Sequence, residues 1–491
     1  MEIAGTGGMI LSYLGVDVGT SSIKVGLLED DGSWIVKSAP VAGADESLRT
    51  GLMDPEQWWA ATVDALQILG RERSLNDVQA VAAIGNTPTL ILVGERGVPV
   101  YPALLWSDTR ASEEAQILSG QRESSQWENI YGGFIPISAA YPSAKLLWLL
   151  RHEPGVVSRA RQILQPKDFI NYRLTRVMAS DHWSAKGIVS IGRDKDTRPL
   201  EVLGLDPSLA PHCFRPIDVI GAITGEVSDK TGLARGIPVM AGWSDTLGAV
   251  LSMGLSEEEG FILSGTSESI GVITRQAPLE THATLCAPVW DSGLYIVYGP
   301  TSTGMSTIRW ADSLCKGVVE TPTDLPFETK GPIFVPFIMG QRSPLWNDEV
   351  RGAWFNVDIH TRPGQLYDAV VEGVAASERD VLDAVQHLMG IRCRRIVVAG
   401  GGSGLERLNQ WRSAIFELPL TEVAGEPVLG ASLLAYWGKH PHEFPARMAE
   451  RPTRRVLPLS PSAQGRYQTY LQARAAVIAY TEEVKGAFPY A

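Results

Sequence analysis

The sequence predicts a layered α/β protein built as two similar lobes, and three observations carry that prediction. A strand, a turn of small residues and a second strand occur at residues 14–28 and again at residues 261–273, so the chain looks internally duplicated. Strand-like and helix-like segments alternate along its length, which favours sheets covered by helices over a bundle or a sandwich. At 491 residues the chain is too long for one core, and two domains are the natural division.

In the first hairpin, apolar alternation over residues 13–18 and 23–28 gives two strands joined by Gly19-Thr20-Ser21-Ser22. Glycine and short hydroxyl side chains let backbone N–H groups and hydroxyls approach an anion closely. Asp17, at the end of the first strand, is the hard oxygen ligand that a hydrated Mg²⁺ takes. The turn lacks the Gly-Lys-Ser/Thr of a Walker loop, and a dinucleotide fingerprint would open a helix. Taken alone, the hairpin fits either a nucleotide site of another architecture or a tight turn with a solvated acid. The second hairpin repeats the grammar at Ser264-Gly265-Thr266-Ser267 and suggests two lobes facing each other across a nucleotide, each lending a phosphate loop.

Between and beyond the hairpins, Asp54 followed by Pro55 marks a helix start running towards Leu69, with Trp58 and Trp59 as packing residues. Residues 78–84 read as a strand, and residues 89–93 and 98–101 as a hairpin around Glu95-Arg96-Gly97. Residues 145–150 are helical, and Gln165-Pro166 opens another helix with Asp168 as a local cap. Residues 238–241 form a strand that delivers Asp245, and residues 395–399 form a strand that runs into Gly400-Gly401-Gly402-Ser403, where backbone passes flat against a ligand. The last segment, about 460–484, has helical periodicity and is placed back on the first lobe.

Composition sets bounds. Hydrophobic residues make up 44% of the chain, as in an ordinary α/β enzyme. The net charge of −12 is spread out, with no basic patch for nucleic acid and no acidic tail. Phosphate must therefore be met locally, by amides and Mg²⁺. Cys213, Cys286, Cys315 and Cys393 have no CxxC spacing and read as reduced thiols of a cytoplasmic protein. Residues 9–14 are apolar but short and follow no positive residues, so neither a signal peptide nor a membrane span is expected. The eight histidines show no metal-ligand spacing.

The opening hairpin, residues 103–110, Gly242-Trp243-Ser244-Asp245-Thr246, Ser264-Gly265-Thr266-Ser267, residues 336–344, Arg351-Gly352, Glu372-Gly373 and Gly400-Gly401-Gly402-Ser403 together resemble the FGGY carbohydrate kinases, in order and in spacing, from about residue 14 to about residue 437. The xylulokinase-like members are the most similar in pattern. The resemblance implies two ribonuclease H-like domains of the actin and hexokinase type around a central cleft, divided as residues 1–245 and 246–491. It implies ATP-dependent phosphorylation of a sugar hydroxyl, with a D-xylulose-like ketopentose first and gluconate, ribulose or another polyol as alternatives. Asp245 is then the catalytic base, Asp17 the Mg²⁺ ligand, and Thr20, Ser21, Lys24, Gly265, Thr266, Ser267, Gly401, Gly402 and Ser403 the ATP contacts. Asn86, Thr87, Trp106, Asp108, Arg110 and Asp245 fall to the sugar. Sugar and ATP are the partners, with neither nucleic acid nor membrane, and a homodimer is the assembly the resemblance allows.

The sequence departs from that pattern at Gly85-Asn86-Thr87-Pro88, where xylulokinases usually carry Gly-Gln-Met-His. Pro88 has no donor, so Asn86 and Thr87 would supply that wall. Leu405 and Ala414 stand where an Asn and an Asp are common, while Ser403 and Gln410 fit. Asp245 also has the simpler reading of a helix N-cap, and Asp108 with Arg110 that of a surface pair. Two other classes use the same hairpins: an actin-like ATPase and a sugar sensor without turnover. The Trp106-x-Asp108-x-Arg110 segment argues against the first, and the intact Asp17 and Asp245 argue against the second.

Overall fold

The computed structural model describes residues 11–192, 196–257, 259–276, 284–289, 293–315, 331–443, 455–457 and 460–484. The chain forms two units, Met1–Ser252 with Glu426–Met448, and Met253–Gly425 with Ala449–Ala491.

In the first unit, strands Ser12–Val18 and Ser22–Glu29 pair antiparallel, with Asp17 opposite Lys24. The sheet runs Val219–Ala222, Pro238–Ser244, Val78–Gly85, Ser12–Val18, Ser22–Glu29, Trp34–Pro40. Its three central strands are mutually parallel, with Val18 and Ser244 both in register with Gly85. Three chain segments therefore end side by side at one edge, where open α/β sheets place ligands. Helix Pro55–Gly70 covers one face, started by Asp54 accepting from the Glu56 amide and by Pro55 at its first position. The other face takes helix Pro427–Lys439, which approaches so closely that a Cβ at Gly15 would sit 2.4 Å from the Val428 carbonyl oxygen and one at Gly430 1.9 Å from that of Gly248. Ser432 closes the seam by donating to the Gly26 carbonyl at 2.9 Å.

The second unit repeats the topology. Strands Glu259–Ser264 and Glu268–Thr274 form the hairpin, strand Leu294–Pro300 continues it antiparallel, and strand Arg395–Ala399 lies parallel to the first with Leu420–Glu422 beyond. Both units thus have the ribonuclease H-like arrangement of an antiparallel meander extended by parallel strands, and the two-domain α/β expectation holds.

Three expectations are corrected. The division falls at Ser252 rather than Asp245, because helix Asp245–Ser252 packs on helix Pro427–Lys439 within the first unit. The last helix, Gln464–Glu483, belongs to the second unit: Arg466 pairs with Glu372, Arg474 with Asp380 at 2.7 Å, and Tyr467 donates to Asp383 at 3.0 Å. Residues 98–101 form no strand apart from a bridge at Pro99; strand Ile91–Val93 pairs instead with Gln162–Leu164.

Candidate active site

Asp17, the segment Asn86–Thr87 and Asp245 emerge from the ends of the three parallel strands of the first unit. A bulge between Met240 and Trp243 re-aims the last of these strands. Gly242 makes it possible, with φ +76° and a position where a Cβ would lie 1.7 Å from the Ala83 carbonyl oxygen. Asn171 and Lys167 donate to the Ala241 carbonyl beside the bulge, at 2.9 and 3.0 Å. Lys167 is fully buried and also pairs with Asp168 at 2.5 Å and Asp181 at 3.0 Å. A buried ammonium needs that compensation, and the triad holds the strand that carries Asp245. Asp168 serves in the helix capping box, as read from the sequence, and has this second duty.

Asp245 is the first residue of helix Asp245–Ser252, and its Oδ1 accepts from the Thr246 amide at 2.6 Å. The described hydrogen bonds give it none of the N2 or N3 amides that an N-cap serves. Burial raises its pKa to about 6, against the lowering effect of Thr246 and Lys186. Asp17 is nearly buried, and burial together with the charge of Asp245 raises its pKa to about 7, with Lys24 opposing. Lys24 itself pairs with Glu426 at 3.2 Å, which leaves two acids repelling each other with little cationic relief.

That imbalance is the fit test for a divalent cation. No group of three or more His, Cys, Asp or Glu side chains able to hold a metal occurs among the described residues. One or two carboxylates at a site open to phosphate and water is the donor set of Mg²⁺, which keeps most of its own waters. Asp17 fits it, and a cation there would favour the carboxylate form.

The turn next to Asp17 is braced from outside: Trp58 donates to the Gly19 carbonyl at 3.0 Å, and Trp106 reaches Thr20 Oγ1 at 3.4 Å. Trp58 is buried, as expected of a packing residue. Trp106 is exposed, so residues 103–110 and the turn at Gly19–Ser22 meet through an indole that solvent reaches. Ser21 is exposed.

The remaining sugar-site expectations divide. Asn86 is buried and both its polar atoms are engaged: Nδ2 donates to the Val18 carbonyl at 2.9 Å, and Oδ1 accepts from Thr89 at 2.6 Å. These bonds tie two strand ends together. Asp108 accepts from the Arg110 amide at 2.8 Å and from its Nε at 2.6 Å, and Arg110 donates onward to the Thr50 carbonyl and lies over Trp148. These two side chains hold each other and shape the loop below Trp106. Thr87 is half-buried, and its hydroxyl accepts from Lys186 at 3.1 Å.

In the second unit, the Gly265 and Thr266 carbonyls accept from the Met305 and Ser306 amides, at 3.0 and 3.1 Å, which turns the carbonyls into helix Met305–Cys315 and leaves Thr266 and Ser267 exposed. Arg309 reaches Thr266 Oγ1 at 3.3 Å. Gly400–Gly402 wrap the same strand end, with Gly402 donating to the Ser264 carbonyl at 3.1 Å. A Cβ at Gly402 would lie 2.3 Å from Ser264 Oγ, whereas Gly401 faces open space. Ser403 donates to Glu422 at 3.1 Å and acts within the loop. Beneath the turn, fully buried Arg412 binds Ser264 at 2.8 Å, Glu268 at 3.0 Å and Glu378 at 2.5 Å.

Lys167, Lys186, Lys145 and Arg412 were not singled out from the sequence. Only Lys145 lies among apolar or small residues, a weak signal of a compensated interior charge; Lys167, Lys186 and Arg412 have polar neighbours in sequence that hide it. Lys145 is buried and donates to the Leu105 carbonyl at 2.6 Å, under the Trp106 loop.

Comparison with known proteins identifies the family. Residues 12–252 match the N-terminal domain and residues 260–438 the C-terminal domain of the FGGY family of carbohydrate kinases. The chain belongs to that family. It is 28% identical to a xylulose kinase of Escherichia coli over 88% of this chain and 91% of that one. With a xylulose kinase of Klebsiella pneumoniae the identity is 29%, over 92% and 97%. The crystal structure of a gluconate kinase from Lactobacillus acidophilus superposes with a TM-score of 0.83 at 21% identity, covering 98% and 99%.

Proposed function

We propose that this chain transfers the γ-phosphoryl group of ATP to a hydroxyl of a keto sugar, a D-xylulose-like ketopentose being the foremost acceptor. The observation that carries the reading is the pair of acids, Asp17 and Asp245, at the ends of two strands that flank Val78–Gly85 in one sheet, each raised towards neutrality by burial. The xylulose kinases among its relatives support the acceptor class.

With its pKa at about 6, Asp245 is mostly ionised at neutral pH yet basic enough to take a proton, the balance a general base needs. It removes the proton from the attacking hydroxyl; that oxygen forms the new bond to the γ-phosphorus, the bond from phosphorus to the ADP oxygen breaks, and the proton leaves later from Asp245. Thr87 and Trp106 hold and orient the sugar. In this reading Thr20 and Ser21 of the first unit, and Gly265, Thr266 and Ser267 of the second, are the ATP-phosphate contacts; Gly401 leaves room for the adenosine, and Gly402 brings the loop against Ser264. Asp17 would hold Mg²⁺ through the ion's waters, and the ion when bound neutralises charge on the phosphate oxygens. Use of ATP puts the reaction in the cytoplasm, in keeping with Cys213, Cys286 and Cys393 as free thiols. No described helix is long and apolar enough to cross a membrane.

The test is coupled ADP release over a panel of pentuloses, hexuloses, polyols and aldonates. Sugar-dependent release with Mg²⁺, largest for a ketopentose, is expected. ADP release that no sugar stimulates would refute the proposal.

A further inference from the structure

Among the described residues, Lys186 is the one buried cation near Asp245 for which the assigned roles leave no task. It is 3% exposed. Of its three N–H groups, one donates to Thr87 Oγ1 at 3.1 Å and one to the Trp183 carbonyl at 3.2 Å, and the ammonium lies 5.2 Å from the Trp183 ring centre. One N–H remains. Asp245 and Asp181 both act on it electrostatically.

Its position is fixed by the same framework that fixes the base. The Asp181 carboxylate accepts from the Trp183 and Ser184 amides, at 2.9 and 3.0 Å, and so shapes the turn that carries Lys186. Asp181 is held by Lys167, and Lys167 by the Ala241 carbonyl, four residues before Asp245. Lys186 is thus tied through Thr87 to one strand end and through Asp181 and Lys167 to the next. A flexible surface lysine has no such anchorage.

Resting on the kinase reading above, we infer that Lys186 determines the acceptor class: its remaining N–H reads an sp² oxygen of the acceptor, a ketone carbonyl or a carboxylate, close to the hydroxyl that Asp245 deprotonates. A desolvated ammonium rewards the acceptor oxygen with the most negative charge, and charge-assisted hydrogen bonds are about twice as strong as neutral ones. A hydroxyl in the same place accepts less strongly and brings an O–H that needs a partner of its own. Pro88 offers this wall no donor, both polar atoms of Asn86 are engaged internally, and Thr87 has only its neutral O–H to donate, so the charged donor of this wall is the Lys186 ammonium. A site built to bond one oxygen rejects the analogue that lacks it.

The experiment uses matched acceptors that differ at the sp² oxygen, D-xylulose against xylitol and D-gluconate against sorbitol, with the full chain and MgATP. The wild type should favour the member bearing the sp² oxygen in at least one pair by more than about tenfold, and which pair it is distinguishes ketone from carboxylate. Lys186→Met should reduce that preference by about 10- to 100-fold, the worth of one hydrogen bond to a charged donor. Lys186→Arg, which keeps the charge, should retain more of the preference than Lys186→Met. Equal use of both members of each pair by the wild type, or a Lys186→Met variant slowed equally on both, overturns the inference, and the first of these needs no variant to fold. ADP release with none of the four acceptors would instead count against the kinase reading itself.

Discussion

Asp245→Asn should make the protein more stable and nearly inactive at once. In the fold the Asp245 pKa rises from 3.8 to about 6, chiefly through burial. At 1.36 kcal/mol per pKa unit the rise corresponds to about 3 kcal/mol, and screening of a carboxylate that still meets water brings it to about 1–2 kcal/mol. Because the folded pKa lies above the unfolded one, this contribution to stability is fully present below pH 3.8 and is lost as the pH rises through about 6. Asparagine imitates the protonated form, so the variant keeps above pH 6 what the wild type gives up. Urea unfolding at about pH 4.5 and about pH 8 should show the variant gaining stability over wild type by about 1–2 kcal/mol at the higher pH and by less at the lower. Its turnover should fall by about 10²- to 10⁴-fold with little change in sugar affinity, the loss expected for a positioned base. A variant no more stable at pH 8 would refute the burial argument, and one with normal turnover would remove Asp245 from the chemistry.

Three further outcomes are expected. The value of kcat/KM should rise with pH through about 6 as Asp245 ionises and level off above it, and a profile flat from pH 5 to 8 would contradict the base assignment. Asp17→Asn should raise the Mg²⁺ concentration needed for half-maximal rate by about tenfold or more; an unchanged requirement would make the first hairpin purely structural. Lys167→Met strands Asp168 and Asp181 in the interior and should cost about 3–5 kcal/mol in urea unfolding, whereas a loss below about 1 kcal/mol would mean the triad is not compensated as described.

Much of this was legible in the sequence where the signal is local. Both hairpins, the Asp54–Pro55 helix start and strand Arg395–Ala399 rest on alternation, capping and turn chemistry, and all appear as read. The sequence also placed Asp17, Asp245 and Thr87 at strand ends, because a strand followed by small residues announces its own end. What failed depends on partners distant in sequence. Helix Pro427–Lys439 joins the first unit through the close approach of Gly430 to Gly248 and of Ser432 to Gly26, and the last helix joins the second through pairs with Glu372 and Asp380. No periodicity encodes those pairings. Asn86, Asp108 and Arg110 show the same limit: residue type announces a donor or an acceptor, but only the fold tells whether a neighbour has already consumed it. Lys186 is the converse, a charge in a short polar stretch whose place beside the base appears only once three strands are side by side.

The most direct measurement is ³¹P NMR of a reaction containing the full chain, Mg²⁺, ATP and D-xylulose. Conversion of ATP to ADP in step with a new sugar monophosphate resonance, absent when the sugar is omitted and nearly absent with Asp245→Asn, is the predicted result. ADP accompanied only by inorganic phosphate, whether or not a sugar is present, would contradict the account.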